Sequence, residues 1–430
     1  MVGAIRPHAR RRALRPERCG TSNRRGAEYH ARSRGADTGG TPPTTNPEAY
    51  ELYLRSQELS SGERQQNLRA IELLKKAISL DSSFAAAHAR LAYRTFLLGY
   101  YGDPTYIDSA IEIARRALEL DPDFAPTHLA LASEYGSKGW AAKSRAAFLR
   151  AHELDPGNTG VISNIAVLES EILGRHDEAL IWARRLLEMP KFDAGGLYHL
   201  AWPLLFLRDD ATTDRWLTEG EARAHDDQRL QYLKAALDYL RGNEAAALAR
   251  TRTIVETHPA FEEGLMVSAE LAFLTAAPDA EAQIERLSRR ATGLESAWVL
   301  KQESHQTSYA YLLMLRGERS HAATLLAEAL KRAHTALENG NENQRVPFEI
   351  AAIHATRGEN DQAVEWLAKA FAAGYKDYAT LARHPIFTKV RHDPRFQNVL
   401  KQMEQTVADM RERSTVLAEL RTMPFPDMRR

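Results

Sequence analysis

Residues 125–156 read APTHLALASEYGSKGWAAKSRAAFLRAHELDP: two amphipathic helical patterns parted by a short glycine-bearing turn, ending in Leu154-Asp155-Pro156 where a new helical pattern begins. On a 34-residue period with Ala125 as position 1, Leu131 and Ala132 stand at positions 7 and 8, Tyr135 at 11, Phe148 at 24, Ala151 at 27 and Pro156 at 32. Small residues at positions 8, 20 and 27 let two helices approach closely, while larger ones at 4, 7, 11 and 24 fill the space around the contact. Proline at position 32 has no N–H to donate and suits the boundary between helices. One such hairpin cannot bury its own apolar face, so copies have to stack.

The register recurs along the chain. Asn46 to Ser82 opens with an N-cap asparagine and Pro47, buries Tyr50, Tyr53 and Leu54, and carries Ala70, Leu74 and Ala77 in its second helix. Phe84 to Pro122 repeats the plan with Leu91, Ala92, Ala110, Ala114 and Ala117 around a turn, Gly99 to Pro104, about six residues longer than the rest. That turn reads either as a tolerated insertion or as a place where a partner touches. Gly160 to Pro190 keeps Ile165, Ala166, Ala179 and Ala183, with a turn at Gly174 to Asp177 about one residue longer than the norm. The pattern is weakest over Phe192 to Ala224, where Pro203 is expected to kink or re-cap the first helix. It returns over Asp227 to Pro259, loosens over Phe261 to Ala291, and sharpens again over Gln302 to Gly340 and Asn343 to Gly374. Tyr378 to Arg413 reads as capping helices, since an open end needs a polar outer face.

This pattern resembles the tetratricopeptide repeat. The resemblance implies an all-α, right-handed α-solenoid of about nine helical hairpins whose mode of action is binding. Expected organisation is a disordered leader and linker over 1–45, the repeat array over 46–375, capping helices over 376–415 and a flexible tail over 416–430. The opening NPEAYELYLRSQEL (46–59) and the closing HPIFTKVRHDPRFQNVLKQM (384–403) further resemble the two ends of repeat arrays in bacterial signalling proteins, where the array follows a cyclase, winged-helix or kinase domain. Only an arginine-rich leader precedes the array here, so nothing catalytic or DNA-binding carries over from that front end. What the resemblance implies is an interaction or sensing part in a cytoplasmic bacterial protein.

Composition sets limits on function. The 430 residues are 27% charged and balanced to a net charge of zero, which suggests neither a nucleic-acid nor a membrane-surface protein. Residues 41–430 carry 47 Lys plus Arg against 54 Asp plus Glu, which argues against an RNA-reading array. The lone Cys19 excludes an intrachain disulfide. The richest apolar run, Leu265 to Ala277, is too short to span a bilayer and contains Glu270. Residues 1–40 hold ten arginines, no lysine and three acids, and cannot form a core. Three readings stand for them: a solvated leader or over-extended translation start, a basic arm for nucleic acid or acidic lipid, and an export or organelle signal. Against the last, no apolar stretch follows Arg10, Arg11 and Arg12.

No enzyme signature is present: no phosphate loop ending in Gly-Lys-Ser/Thr, no G-x-S-x-G, no H-E-x-x-H and no paired cysteines. No catalytic residue, cofactor or metal is expected. His88 and His128 recur at position 4, where buried packing is the expectation rather than metal ligation. In the tetratricopeptide family, positions 2, 5, 9 and 12 of the first helices line the concave face. Here they include Tyr93, Phe96, Tyr198, Trp202, Tyr232, Tyr239, Met266, Phe273, Tyr311 and Phe348. The expected function is therefore a non-catalytic scaffold that binds a peptide or protein segment in an aromatic concave groove. A core role for some of these rings is the competing reading, because a register error of one or two residues would turn Trp202 or Tyr239 inward. The alternative function is a sensory or relay component of a bacterial signalling system. Chaperone-tail binding is not expected. The places for its carboxylate-holding cations are filled by Ala86, Ala89 and Tyr93, then Pro126, Leu129 and Ser133, then Gly160, Ser163 and Val167.

Overall fold

Several helices start where a short polar side chain offers a cap. Asn46 accepts a hydrogen bond from the Ala49 N–H, with Pro47 behind it in the first turn. Asn158, Asp193, Asp209, Asp227 and Ser304 serve later helices in the same way. In the computed structural model of the chain, the described residues are 43–426 other than 62, 101, 102, 104, 190, 191, 225, 226, 260 and 289–302. The arginine-rich stretch 1–40, residues 427–430 and part of the long turn near Gly99 therefore lie outside them.

Among the described residues there are twenty-one α-helices and no strand. They pair into nine hairpins: α1 (Pro47–Glu58) with α2 (Arg64–Leu80), α3 (Ala85–Tyr100) with α4 (Thr105–Leu120), α5 (Ala125–Ser137) with α6 (Ala141–Leu154), α7 (Thr159–Val167) with α8 (His176–Leu186), α9 (Ala194–Phe206) with α10 (Asp210–Arg223), α11 (Gln228–Leu240) with α12 (Glu244–Thr257), α13 (Glu262–Leu274) with α14 (Ala280–Ser288), α15 (His305–Leu315) with α16 (Arg319–Glu338), and α17 (Arg345–Arg357) with α18 (Asn360–Ala373). A short α19 (Tyr378–Leu381), a 3-10 turn (Pro385–Phe387), α20 (Pro394–Arg413) and α21 (Thr415–Thr422) follow. The chain is an all-helical solenoid. No helix among the described residues is long and apolar enough to cross a membrane.

The small positions do what their size allows. Ala92, Ala110, Ala117, Ala132, Ala151, Ala351, Ala363 and Ala370 are all at 0% exposure, with Leu131 and Phe148 buried around the reference contact. Four local expectations need correction. Leu54, expected on the buried face of the first hairpin, is 42% exposed. Pro203 does not re-cap α9, which runs through it to Phe206, and the Leu207 N–H bonds the Pro203 carbonyl at 2.9 Å. The extra residue of the fourth hairpin is taken up before its turn, in a π-helical stretch over Leu168–Ile172 closed by Leu173 N–H to Leu168 O. Within the stretch expected as a flexible tail, residues 415–422 form α21. Ser414 caps it and Leu417 and Leu420 are fully buried, because Leu at i and i+3 share one helical face.

The stack curls until parts of the chain about 200 residues apart touch. The third hairpin's turn meets the segment between α16 and α17: Trp140 Nε1 donates to Asn339 O at 2.8 Å, and the Glu342 N–H donates to Gly139 O at 2.8 Å. The fourth hairpin's turn meets the end of α18, where Gly174 and Gly374 lie backbone to backbone and an added Cβ on Gly174 would fall 1.9 Å from Gly374 O. The main core cluster consequently joins α5–α14 with α17–α21, while the first two hairpins and the eighth hold smaller clusters of their own.

Candidate interaction groove

The first helices bring the expected aromatic residues together in three places. Tyr198 on α9 lies 5.6 Å from Trp202 and 6.0 Å from Tyr232 on α11, ring centre to ring centre, and Tyr232 continues to Phe261 at 6.3 Å. Phe273 on α13 stands 5.9 Å from Tyr311 on α15 and 6.0 Å from His384, and Phe348 on α17 stacks with Tyr375 at 4.4 Å and Phe387 at 5.6 Å. Tyr93 and Phe96 belong to the second hairpin, away from the others and beside Arg90.

The expectation of an open groove at these residues is corrected. Phe96, Trp202, Tyr232, Tyr239, Met266, Phe273 and Phe348 are all buried, and only Tyr93, Tyr198 and Tyr311 stay partly exposed. At Trp202, Tyr239, Phe273 and Phe348 residues 375–396 arrive against the first helices, while Phe96 is buried within the second hairpin's own cluster. There the chain's own backbone is held as a guest. Tyr311 Oη donates to Pro385 O at 3.1 Å, and Arg383 donates to Tyr239 O at 2.9 Å with its guanidinium 4.3 Å above the Tyr239 ring. Buried at its centre, His384 meets Glu303 at 3.1 Å, and Glu303 also accepts from Ser308 at 2.8 Å.

A small polar cavity of about 20 Å³ lies where the π-helical stretch, α8, α9 and the segment after α18 converge. Ser170, Glu171, His176, Trp202, Gln344, Lys376 and Asp377 are among its walls. Burial raises the Glu171 carboxyl to about 7 even though Arg345 stands 3.5 Å away, and lowers Lys376 to about 8. Burial, with Lys376 adding to it, also lowers His176 to about 3. That ring is neutral at physiological pH, stacked on Phe206 at 5.2 Å and bonded to Ser170 Oγ at 2.9 Å. Gln344 Nε2 donates to Glu171 O, so the cavity's walls tie hairpin four to hairpin nine.

Several contacts here had no motif to announce them. His88 and His128 are half-buried rather than buried: each uses Nε2 to reach a carbonyl six residues back, Ser82 O at 3.2 Å and Pro122 O at 2.8 Å, tying each hairpin to the loop before it. Among the described residues no group of three or more His, Cys, Asp or Glu could hold a metal ion. Asp393 caps α20 by accepting from the Arg395 N–H. The arginines of the C-terminal segment, which grip hairpins four to six, had charge as their only sequence signal.

No protein-family model matches this chain, and no curated protein matches it. Solved structures similar to it include YrrB, a TPR protein with an unusual peptide-binding site, at 17% identity and a TM-score of 0.35, covering 46% of this chain and 97% of that one. Pseudomonas aeruginosa PilF is similar at 18% identity and a TM-score of 0.41, over 52% of this chain and 97% of that one. Human IFIT1, a dimer with m7Gppp-AAAA, is similar at 12% identity and a TM-score of 0.41, over 82% and 96%. At such TM-scores these likenesses carry no argument, and the fold rests on the helices and contacts described above.

Proposed function

We propose that this chain is a non-catalytic scaffold that takes up a peptide or protein segment along the aromatic line of its first helices, in competition with its own residues 375–396. The observation that carries this reading is the Tyr311 hydroxyl donating to Pro385 O: a groove side chain already holds a main-chain carbonyl, here that of a 3-10 turn. Rings supply apolar area, and hydroxyl and guanidinium edges supply direction. The excess of 54 acidic over 47 basic residues in 41–430 favours a protein ligand over a nucleic acid.

Trp202 and Tyr232 are core residues, so the discriminating variants are those that loosen the guest without opening the core, Arg383→Gln with Tyr311→Phe. The expected result is that full-length chain carrying both captures a protein from its native cells in larger amount than the wild type does. Equal capture moves the site away from this line. Capture of nothing by either chain overturns the scaffold reading.

A further inference from the structure

The concave line is not the only place where the C-terminal segment docks. On the other side of the hairpins, the second helices α8 and α10 form a shelf that holds α21. Arg413 reaches Asp177 at 2.6 Å, and Arg421 reaches Asp209, the cap of α10, at 2.6 Å. These carboxylates belong to successive hairpins and are about 10% exposed, so each is a fixed receptor rather than a loose surface charge. Burial alone would raise the Asp209 carboxyl, but bonds from Thr212 and Arg421 outweigh it and hold the group below the usual carboxylate range.

Between the two arginines the shelf reads a helix end. Leu417 and Leu420 are fully buried, and the C-terminal carbonyl of Leu420 accepts from both Arg215 and Trp216 Nε1, the latter at 3.2 Å. Arg215 also donates to Met423 O at 2.8 Å, and the Phe425 ring packs on Trp216 at 5.1 Å with Arg223 4.6 Å above it. Helix ends leave carbonyls without intrahelical partners, so donors placed for them recognise a helix terminus whatever its side chains.

Releasing the guest costs the burial of Leu417 and Leu420, and three features lower that cost. α21 has eight residues, too few to be stable away from the shelf, and Ser414 both ends α20 and caps α21, which makes it a hinge. Its arginines remain 57% and 51% exposed, so their ion pairs contribute little and weaken with salt.

We propose that this shelf is a recognition site for a short amphipathic helix of a partner protein carrying the pattern L-x2-L-R-x3-F with an arginine just ahead of its cap, and that the chain's own Arg413 to Phe425 fills it until such a helix arrives in trans. The arginine ahead of the cap and the arginine on the helix meet the two carboxylates, the leucines fill the apolar strip, and the aromatic residue caps Trp216. A partner competes with the segment in cis, so its apparent affinity is its intrinsic affinity reduced by the fraction of chains with the shelf free.

The test uses the full chain and a fluorescent synthetic peptide of residues 408–426. Leu417→Asp should expel the tethered segment and leave the shelf, so that variant binds the peptide at least tenfold more tightly than the wild type. Adding Asp209→Asn, which keeps the helix cap, should weaken the peptide by about two- to fivefold and flatten its salt dependence. A peptide that binds wild type and Leu417→Asp equally, or neither, overturns the proposal. Hydrogen exchange on the wild type keeps the question open to refutation if Leu417→Asp misfolds. Amides of 415–422 should exchange faster than those of 396–410, and equal protection overturns the idea of a displaceable guest. Concentration-dependent dimerisation of the wild type through exchanged segments would support it, with a second copy as the partner.

Discussion

Glu134 shows how one side chain can set a pH dependence. It is fully buried on α5, neither carboxyl oxygen has a hydrogen-bond partner, and burial raises its pKa to about 8. The folded pKa lies above the unfolded value, so this site favours folding least at high pH. No penalty exists below about 4.5, where the acid is neutral in both states. The penalty then grows as pH rises towards 8, because only the unfolded chain ionises freely, and saturates above that. Glu134→Gln should therefore match the wild type in urea unfolding at pH 4 and exceed it by about 1–3 kcal/mol at pH 8.5, since a neutral amide is cheaper to bury than a charge. A constant difference across that range would place the carboxylate in contact with water. Packing at the alanine contacts gives a second prediction at this scale. Ala117→Leu and Ala151→Leu, both at 0% exposure, should each cost about 1–3 kcal/mol by overpacking, whereas Lys143→Leu on the exposed face should cost no more than about 1 kcal/mol of cation–π contact with Trp140. Comparable losses at all three would refute the register.

At the scale of elements, the legible part was whatever repeats locally. The small residues at 92, 132 and 351, the cap at Asn46 and the glycine turns state where helices lie, because each acts on neighbours within one hairpin. The candidate groove was half legible for the same reason. Positions 5 and 9 bring Tyr198, Trp202 and Tyr232 together, with Trp202 and Tyr232 buried rather than lining an open face. What covers that face depends on Pro385 and Arg383 arriving from more than 70 residues away, and no local pattern encodes that. The helix at 415–422 was missed because eight residues carry too short a period to stand out from a tail. Elements with separate cores should also behave separately. Hairpins one and two own small clusters outside the main one, so hydrogen exchange should open α1–α4 at lower free energy than α7–α12. A single exchange plateau over both groups would show that the stack opens as one unit.

For the whole molecule, the decisive feature is closure, and two glycines measure it. Gly174 and Gly317 both have positive φ, 61° and 84°, so an alanine at either position meets the same backbone penalty of about 1 kcal/mol. Their surroundings differ. An added Cβ at Gly317 meets nothing within 4 Å, whereas at Gly174 it would lie 1.9 Å from Gly374 O, and backbone cannot give way as a flexible side chain can. Gly174→Ala has to move the fourth hairpin's turn away from the end of α18, which also strains the bond from Gln344 to Glu171 O. The expected cost is about 2–4 kcal/mol at Gly174 against about 1 kcal/mol at Gly317, and the excess is the worth of closing the stack. A second signature separates closure from simple strain. If the Gly174 variant stays folded but opens, its native state exposes apolar surface before unfolding, so the urea m-value falls along with the midpoint, while Gly317→Ala lowers the midpoint alone. Equal costs with unchanged m-values would mean that hairpins four and nine do not touch in solution. The concave line would then stand open to a partner without competition from residues 375–396.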